Sequence, residues 1–323
     1  MSRTQEQINH HVVANYAGID VSKATLDFAI YGKDIHLSVP NDNRGIQKLI
    51  RECVLQNVEL IALEPTGKFH RQLHQQLHEA EIPVAVVNPF RSRQFADSLG
   101  QLAKTDKIDA RVLARYAAVI NPAPNLPISE TGKELQELQT ARRQLVDEIG
   151  NLKRRLKACD HAVVVKQIRA RLKLAQSHKK TIEDALQEVI LVNTELRAKY
   201  KILTSIPNIG ATTAALLLAD LSELGHVNCR QIAALAGVAP MNWDSGSRQG
   251  TRVTRGGRPH IRKALYMCAV SGINRQGSYG VMYKRLIQKG KPPKVALTAI
   301  MRKLIVLANT LISEQRRWEP RMP

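Results

Sequence analysis

Four acidic residues stand at positions where folding could bring them together. Asp20 ends the apolar run AGID and Glu64 ends the run IALE, so both carboxylates would leave one sheet edge if these strands are neighbours. Asp106 and Asp109 are three residues apart at the start of a predicted helix, on one face near the positive end of its dipole. Each acid taken alone is more simply a turn former or a helix cap.

The four acids taken together predict a metal site. Carboxylates gathered at one edge repel one another and raise one another's pKa values unless a divalent cation neutralises them. An all-oxygen site suits Mg²⁺ or Mn²⁺. Two such ions about 4 Å apart can activate an attacking oxygen and stabilise the leaving oxygen of a phosphodiester.

A loop rich in serine, glycine and arginine, NWDSGSRQGTRVTRGGRPH, is a second candidate site. Ser245 and Ser247 could be linker residues, hydrogen-bond donors to phosphate or a nucleophile, and the residue types alone leave this open. An arginine can bond two phosphate oxygens at once, so the loop predicts nucleic-acid binding. The arginines concerned are Arg248, Arg252, Arg255 and Arg258.

The segment SIPNIG at 205–210, followed by an Ala/Leu-rich helix, has the shape of a helix-hairpin-helix element. Its turn at Gly210 would offer backbone N–H groups and a helix N-terminus to a DNA phosphate. The alternative is a tight turn between two packed helices.

The charge distribution supports a polyanionic partner. The 323 residues carry a net charge of +20, of which residues 226–323 contribute +15 and residues 1–125 only +1. Nucleic acid is the commonest polyanion for a cytoplasmic chain, and a basic tail or an acidic protein partner is the alternative. The absence of a signal-like or membrane-spanning apolar run predicts a cytoplasmic, nucleoid-associated protein with no membrane partner.

The surrounding patterns predict an α/β plus α protein. Three β-rich runs from Tyr16 are followed by alternating strands and helices, a mixed sheet typical of the RuvC-like ribonuclease H plan. Three prolines in the segment 121–127 predict a boundary. The predicted organisation is a disordered segment at 1–14, a catalytic domain at 15–125, coiled-coil helices at 126–200 and a basic helical domain at 201–323.

The coiled-coil prediction depends on an a/d spacing of apolar residues. The first run comprises Leu135, Leu138, Leu145, Ile149, Leu152 and Leu156, with Arg142 in the gap. A second run continues from Ile168 to Leu196, with Lys179 and Asn193 in its gaps. The polar a-type residues favour an intermolecular coiled coil over a hairpin within one chain.

Eight motifs in this order resemble the DEDD transposases, the insertion-sequence recombinases related to pilin-gene invertases. They are GIDxSK (18–23), LEPTG (63–67), VNP (87–89), KTDxxDA (104–110), SIPNIG (205–210), LAGVAP (235–240), DSGS (244–247) and RKALYM (262–267). The resemblance implies that Asp20, Glu64, Asp106 and Asp109 form the acidic tetrad and that Ser245 is the nucleophile.

The same resemblance implies a reaction. It implies a serine-type recombinase that excises and inserts a mobile element through a 5′-phosphoserine link, with the acids and the serine completing a composite site. It also implies donor and target DNA, a structured guide RNA and a homodimer or homotetramer as partners. Two rival hypotheses are a RuvC-like structure-specific endonuclease that uses water, and a non-catalytic architectural DNA-binding protein.

Overall fold

The computed structural model describes residues 15–101, 103, 105–242, 245, 250, 252–274 and 277–320. The predicted disordered segment at 1–14, Ser247 and Arg248 lie outside the described residues. The chain divides into two compact units, Met1–Ser129 (the N-terminal unit) and Glu130–Pro323 (the C-terminal unit). The predicted coiled-coil helices therefore belong to the same unit as the basic region.

The N-terminal unit is built on a five-stranded mixed sheet. Its strands are β1 (Asn15–Val21), β2 (Thr25–Ile30), β3 (His36–Pro40), β4 (Val58–Leu63) and β5 (Val84–Val86), in the order β3-β2-β1-β4-β5. The first three strands form an antiparallel meander, whereas β4 runs parallel to β1 and β5 runs parallel to β4. This is the mixed sheet that the sequence predicts.

Helices cover both faces of this sheet. They are α1 (Asn43–Leu55), α2 (Arg71–Glu79), α3 (Pro89–Ser98) and α4 (Asp106–Ile120). Ile19 and Leu63 pack with residues of α1 and α2 on one face, whereas Leu60 and Ala62 pack with Leu113 of α4 on the other. Side chains alternate between faces along a strand, so the even-numbered residues of β1 and β4 face α4.

Two long helices, α5 (Glu130–Lys157) and α6 (Ala162–Val192), pack against each other as a hairpin. The a/d residues Ile149 and Leu152 of α5 are buried against Ile168 and Ala175 of α6 in the same chain. The apolar seam therefore packs within one chain, as a hairpin. The polar a-type residues had favoured a coiled coil between chains instead. The intermolecular coiled coil stays a prediction.

The polar residues of the seam fix how the two helices align. Arg142 Nε donates to Glu183 Oε1 at 2.7 Å across the hairpin, and Lys179 Nζ reaches the same carboxylate at 3.0 and 3.1 Å. Burial alone would raise the pKa of Glu183, but the hydrogen bonds and charges of Lys179 and Arg142 outweigh it and lower that pKa. Lys179 and Glu183 share α6, so a one-turn slip of either helix would separate Arg142 from Glu183.

The second long helix ends earlier than its apolar spacing predicts. The chain breaks at Asn193, whose side chain accepts a hydrogen bond from Leu196 N at 3.0 Å and caps α7 (Thr194–Ser205). The seam prediction treated Asn193 as a polar gap in one helix. It is instead an N-cap, because a short amide side chain satisfies free N–H groups at a helix start.

The remaining helices enclose the core of the C-terminal unit. They are α8 (Ala211–Asp220), α9 (Cys229–Leu235), α10 (Pro259–Ile273), α11 (Ser278–Gln288) and α12 (Pro293–Ser313), with a short ribbon of β6 (Pro240–Met241) and β7 (Val253–Thr254). The helix α12 is long and apolar enough to cross a bilayer, although 56% of its most apolar stretch is buried in this core. The sequence patterns missed this helix as a candidate span, and its burial is that of a core helix.

Candidate catalytic residues

Asp20 and Glu64 lie at the same edge of the sheet. Ile19 of β1 pairs with Leu63 of β4, so the next residues along these parallel strands are the two acids. Asp20 shares the face of Gly18, and Glu64 shares the face of Ala62, which is the face covered by α4. The structure therefore confirms that β1 and β4 are adjacent strands, as the sequence analysis required.

A glycine lets α4 approach this edge. A Cβ atom on Gly18 would lie 2.2 Å from both Ala110 O and Ala114 N, so the backbones of β1 and α4 are in direct contact. Thr105 caps α4 by accepting a hydrogen bond from Ile108 N at 3.3 Å. The first turn of α4, which carries the other two acids, directly precedes this contact.

The electrostatics of Asp20 record how closely the four acids are gathered. Burial, followed by the negative charges of Asp109, Asp106, Glu64 and Asp27, raises the pKa of Asp20 to about 6. The other three predicted acids therefore all lie within electrostatic reach of Asp20. No group of three or more His, Cys, Asp or Glu side chains in the described part of the chain is arranged to hold a metal ion as it stands.

Ser92 fixes the carboxylate of Glu64. It lies on α3 with 3% of its surface exposed, and its Oγ donates a hydrogen bond to Glu64 Oε1. The VNP motif starts this helix, because the Asn88 side chain accepts from Phe90 N at 2.9 Å and Pro89 occupies the first turn. Sequence reasoning missed Ser92, since nothing in its spacing links it to Glu64.

A fifth acid, Asp27, was also missed. It pairs directly with Asp20 across the β1–β2 ladder, so the two side chains lie on one face, and it is 7% exposed. His36 Nε2 lies 3.4 Å from its Oδ1. A charged residue inside the apolar run TLDFAI was the available signal, because such a residue is rarely buried without a partner.

Ser245 lies in the loop that joins β6 to β7. The two strands pair through Pro240 with Thr254 and Met241 with Val253, and Ser245 is exposed between them. The competing Ser247 lies outside the described residues.

The base of this ribbon is closed by glycines. A Cβ atom on Gly257 would lie 2.2 Å from Gly237 N, and both glycines adopt positive φ. Arg262 Nη1 bridges the two segments, donating to Gly256 O at 2.8 Å and to Gly237 O at 3.3 Å. The LAGVAP and RKALYM motifs thus hold the ends of the serine loop together.

The predicted phosphate-binding arginines differ in their surroundings. Arg252 and Arg255 are exposed, and neither makes an ion pair with the described residues. Arg258 instead makes a bidentate pair with Glu223 at 2.7 and 2.9 Å. Burial alone would raise the pKa of Glu223, and Arg258 outweighs this and lowers it. Arg258 therefore anchors the loop as it stands.

The predicted hairpin element has the form of two helices joined by a turn. The turn between α7 and α8 buries Ile206 and Ile209, and Asn208 adopts a φ of 73°. Gly210 is exposed at the N-terminus of α8, and a Cβ atom there would meet nothing within 4 Å. The packed turn and the phosphate-binding turn are both compatible with this geometry.

Comparison with known proteins relates both parts of the chain to transposases. A transposase family profile for the DEDD domain of IS110 elements matches residues 17–162, and a profile for the IS116/IS110/IS902 transposase family matches residues 200–283. The chain is 28% identical to pilin gene-inverting proteins of Moraxella bovis and Moraxella lacunata over 322 residues, which covers 95% of this chain and 98% of each relative. It is 26% identical over 163 residues to a 43.6 kDa protein of insertion element IS110 from Streptomyces coelicolor, which covers 50% of this chain and 39% of that protein.

Acids at the edge of a mixed sheet, together with a basic helical unit, are compatible with an enzyme of polynucleotide phosphodiester chemistry, and the two family profiles identify its class. The chain belongs to the IS110 family of DEDD transposases and is a DNA recombinase.

Proposed function

We propose that this transposase is a Mg²⁺-dependent, serine-type recombinase that inserts, excises or inverts a mobile DNA segment through a 5′-phosphoserine intermediate. The observation that carries the proposal is geometric: Asp20 and Glu64 follow paired residues of β1 and β4, and Asp106 and Asp109 lie in the first turn of the helix that contacts β1 at Gly18. Two relatives bear the name of pilin gene-inverting proteins. By analogy with these relatives, we infer that this chain also rearranges DNA.

The donor set fits a divalent metal. Carboxylate oxygens are the ligands that Mg²⁺ and Mn²⁺ prefer. Burial and then the neighbouring acids raise the pKa of Asp20, and a bound cation would offset both effects. Asp20, Glu64, Asp106 and Asp109 would hold it. When bound, such ions supply charge stabilisation at the attacking and leaving oxygens of a phosphodiester. Ser92 keeps one ligand, Glu64, in a fixed orientation.

Ser245 is the proposed nucleophile. Its Oγ forms a bond to the phosphorus while the bond from phosphorus to the 3′ oxygen breaks; the serine proton is lost and the 3′ oxygen leaves as a hydroxyl. This transesterification needs no nucleotide cofactor, because the phosphoserine keeps the bond energy for rejoining. An unassisted serine hydroxyl is a weak nucleophile. The exposed Arg252 and Arg255 are proposed to stabilise charge that develops on the phosphoryl oxygens.

The proposed partners are donor and target DNA, a structured guide RNA and further copies of the chain. The net charge of +15 in residues 226–323 supports nucleic-acid binding there. Gly210 and the loop arginines are the proposed phosphate contacts. Sequencing of RNA that copurifies with the protein, followed by a search for complementarity to its integration sites, tests the guide. Recovery of only random fragments would contradict it.

The serine mechanism is tested by trapping. Wild-type protein and end-labelled DNA that carries both flanks of the gene should give a covalent adduct that survives denaturation. We expect Ser245→Ala to bind DNA and form no adduct, and Ser247→Ala, the matched control, to keep substantial activity. Asp109→Asn should also form no adduct while retaining affinity. Cleavage that yields only free 5′-phosphate ends, with Ser245→Ala equally active, would establish the hydrolytic endonuclease instead.

A further inference from the structure

Exposed cations follow the strands that end at the acidic edge of the sheet or lie in the first turns of the helices that begin there. Lys23 follows β1, Lys68 follows β4, Arg91 lies in the first turn of α3 after β5, and Lys107 lies in the first turn of α4. Because β1, β4 and β5 are parallel, their carboxyl ends meet at one edge. We call these four residues, with Phe90, the basic rim.

These cations have no ionic partner in the part of the chain that the structure describes. All four are exposed, and none makes an ion pair with the described residues. Other arginines on the same helices do: Arg93 of α3 pairs with Asp97 at 3.2 Å, and Arg111 of α4 pairs with Asp34 at 2.8 Å. The rim cations are therefore available to an anion from outside the chain.

Two of the rim cations also oppose the stability of their own helices. Arg91 and Lys107 occupy first turns, where the helix dipole disfavours positive charge. The first turn of α3 contains no acid that would offset Arg91. Helix formation therefore does not explain these two positions.

Phe90 adds an exposed aromatic ring to this surface. It is 59% exposed in the first turn of α3, whereas Phe28 is buried in the sheet and Phe95 packs edge-to-face on Tyr116. The same turn carries Ser92, whose Oγ donates to Glu64. Phe90 therefore belongs to the turn that adjoins the acidic site.

We propose that the basic rim holds the reacting nucleic-acid strand, with the cations on phosphates that flank the reacting phosphodiester and Phe90 stacked on an unpaired base. Cations beside an exposed aromatic ring are the surface that single-stranded nucleic acid prefers, because every base has a face that can stack. The near-neutral N-terminal unit then supplies local contacts beside the acids, in addition to the bulk affinity of the C-terminal unit. The proposal rests on the proposed function in identifying which strand is bound.

Binding of a single strand carrying 2-aminopurine to the full-length protein in EDTA tests the rim without any cleavage. Lys68→Ala/Arg91→Ala should lower the slope of log affinity against log salt by about 1.4, since each phosphate contact on a single strand contributes roughly 0.7. The matched control is Lys33→Ala/Arg51→Ala, which removes the same charges from exposed positions away from this edge. Equal slopes for the two double variants would overturn the proposal.

Stacking has its own matched pair. Phe90→Ala should weaken binding roughly 10-fold and remove the quenching of 2-aminopurine, because stacking on an aromatic ring contributes about 1–3 kcal/mol per base and a tenfold change is about 1.4 kcal/mol. Phe90→Trp should retain both signals. Tyr31→Ala, at an aromatic residue 45% exposed in the β2–β3 turn, should change neither.

Two outcomes distinguish this proposal from an interface between protein copies and from the proposed function. If Phe90→Ala changes the sedimentation of the protein and leaves binding intact, the rim is a surface between protein copies and the proposal is wrong. If Asp20→Asn cleaves DNA normally, the proposed function fails, yet the binding results in EDTA still decide the rim.

Discussion

Substitution of Gly18 tests whether direct backbone contact between β1 and α4 positions the acids. In Gly18→Ala the new Cβ would lie 2.2 Å from Ala110 O and Ala114 N, whereas ordinary contact begins at 3.4 Å. The difference of about 1.2 Å must come from movement of α4 away from the sheet, because both neighbours are backbone atoms. Asp109 directly precedes Ala110 and would move with it.

Two magnitudes follow from this displacement. Overpacking of this kind costs about 1–3 kcal/mol of unfolding free energy. A misplacement of about 1 Å in a reacting constellation costs roughly 100-fold in rate. We therefore expect Gly18→Ala to fold with lowered stability, to bind DNA as the wild type does, and to lose about two orders of magnitude in cleavage rate.

The assay combines single-turnover cleavage, urea unfolding and Mn²⁺ binding followed by electron paramagnetic resonance. Gly150→Ala is the control, since a Cβ atom there meets only the far end of Arg154 at 3.8 Å. It should cleave normally and gain up to about 1 kcal/mol from the better helix former. Wild-type cleavage and Mn²⁺ affinity in a folded Gly18→Ala protein would refute the reasoning that this contact sets the acid geometry.

Two further predictions concern the acids. Because Asp20 has a folded-state pKa of about 6 against an ordinary value of 3.8, the folded protein binds the extra proton and loses stability as pH rises through that window. In EDTA, Asp20→Asn should therefore gain melting temperature over the wild type between pH 4 and pH 7; a constant gap would contradict this. Ser92→Ala should weaken Mn²⁺ binding roughly 10- to 100-fold, because groups that orient metal ligands have effects of this size. The control is Ser98→Ala on the same helix, where the Ser98 hydroxyl donates to Phe95 O at 2.7 Å, and it should leave Mn²⁺ affinity unchanged. If Ser92→Ala and Ser98→Ala bound Mn²⁺ equally well, Ser92 would not orient Glu64 for metal binding.

Local patterns were enough to predict the sheet and the position of the acids. Alternating apolar residues and turn residues mark β1 and β4, and an acid at the end of each parallel strand must emerge at one edge. Asp106 and Asp109 share a helix face by spacing alone. The family resemblance from ordered motifs, and the recombinase class that it implies, agree with the comparisons.

Tertiary structure decided the contacts between residues distant in sequence. The a/d seam of α5 says that a partner helix exists, but an apolar stripe is the same whether α6 of this chain or another copy covers it. The ion pair of Arg142 with Glu183 joins positions that no local period connects. Chain connectivity favours the hairpin, since α6 follows α5 after a short turn.

The supporting groups of the acidic site were decided in the same way. Asp27 reaches Asp20 through strand register, and Ser92 reaches Glu64 through the packing of α3 on the sheet. In the sequence Gly18 is one glycine among 18. Only the close approach of the α4 backbone explains why no larger residue fits there. Sequence by itself placed Asp20 and Glu64 at the ends of two strands and Asp106 and Asp109 on one helix face, because these positions follow from local patterns. The structure decided that the two strands are neighbours and what orients the acids, because strand pairing, hydrogen bonds and close packing depend on where separate elements come to lie.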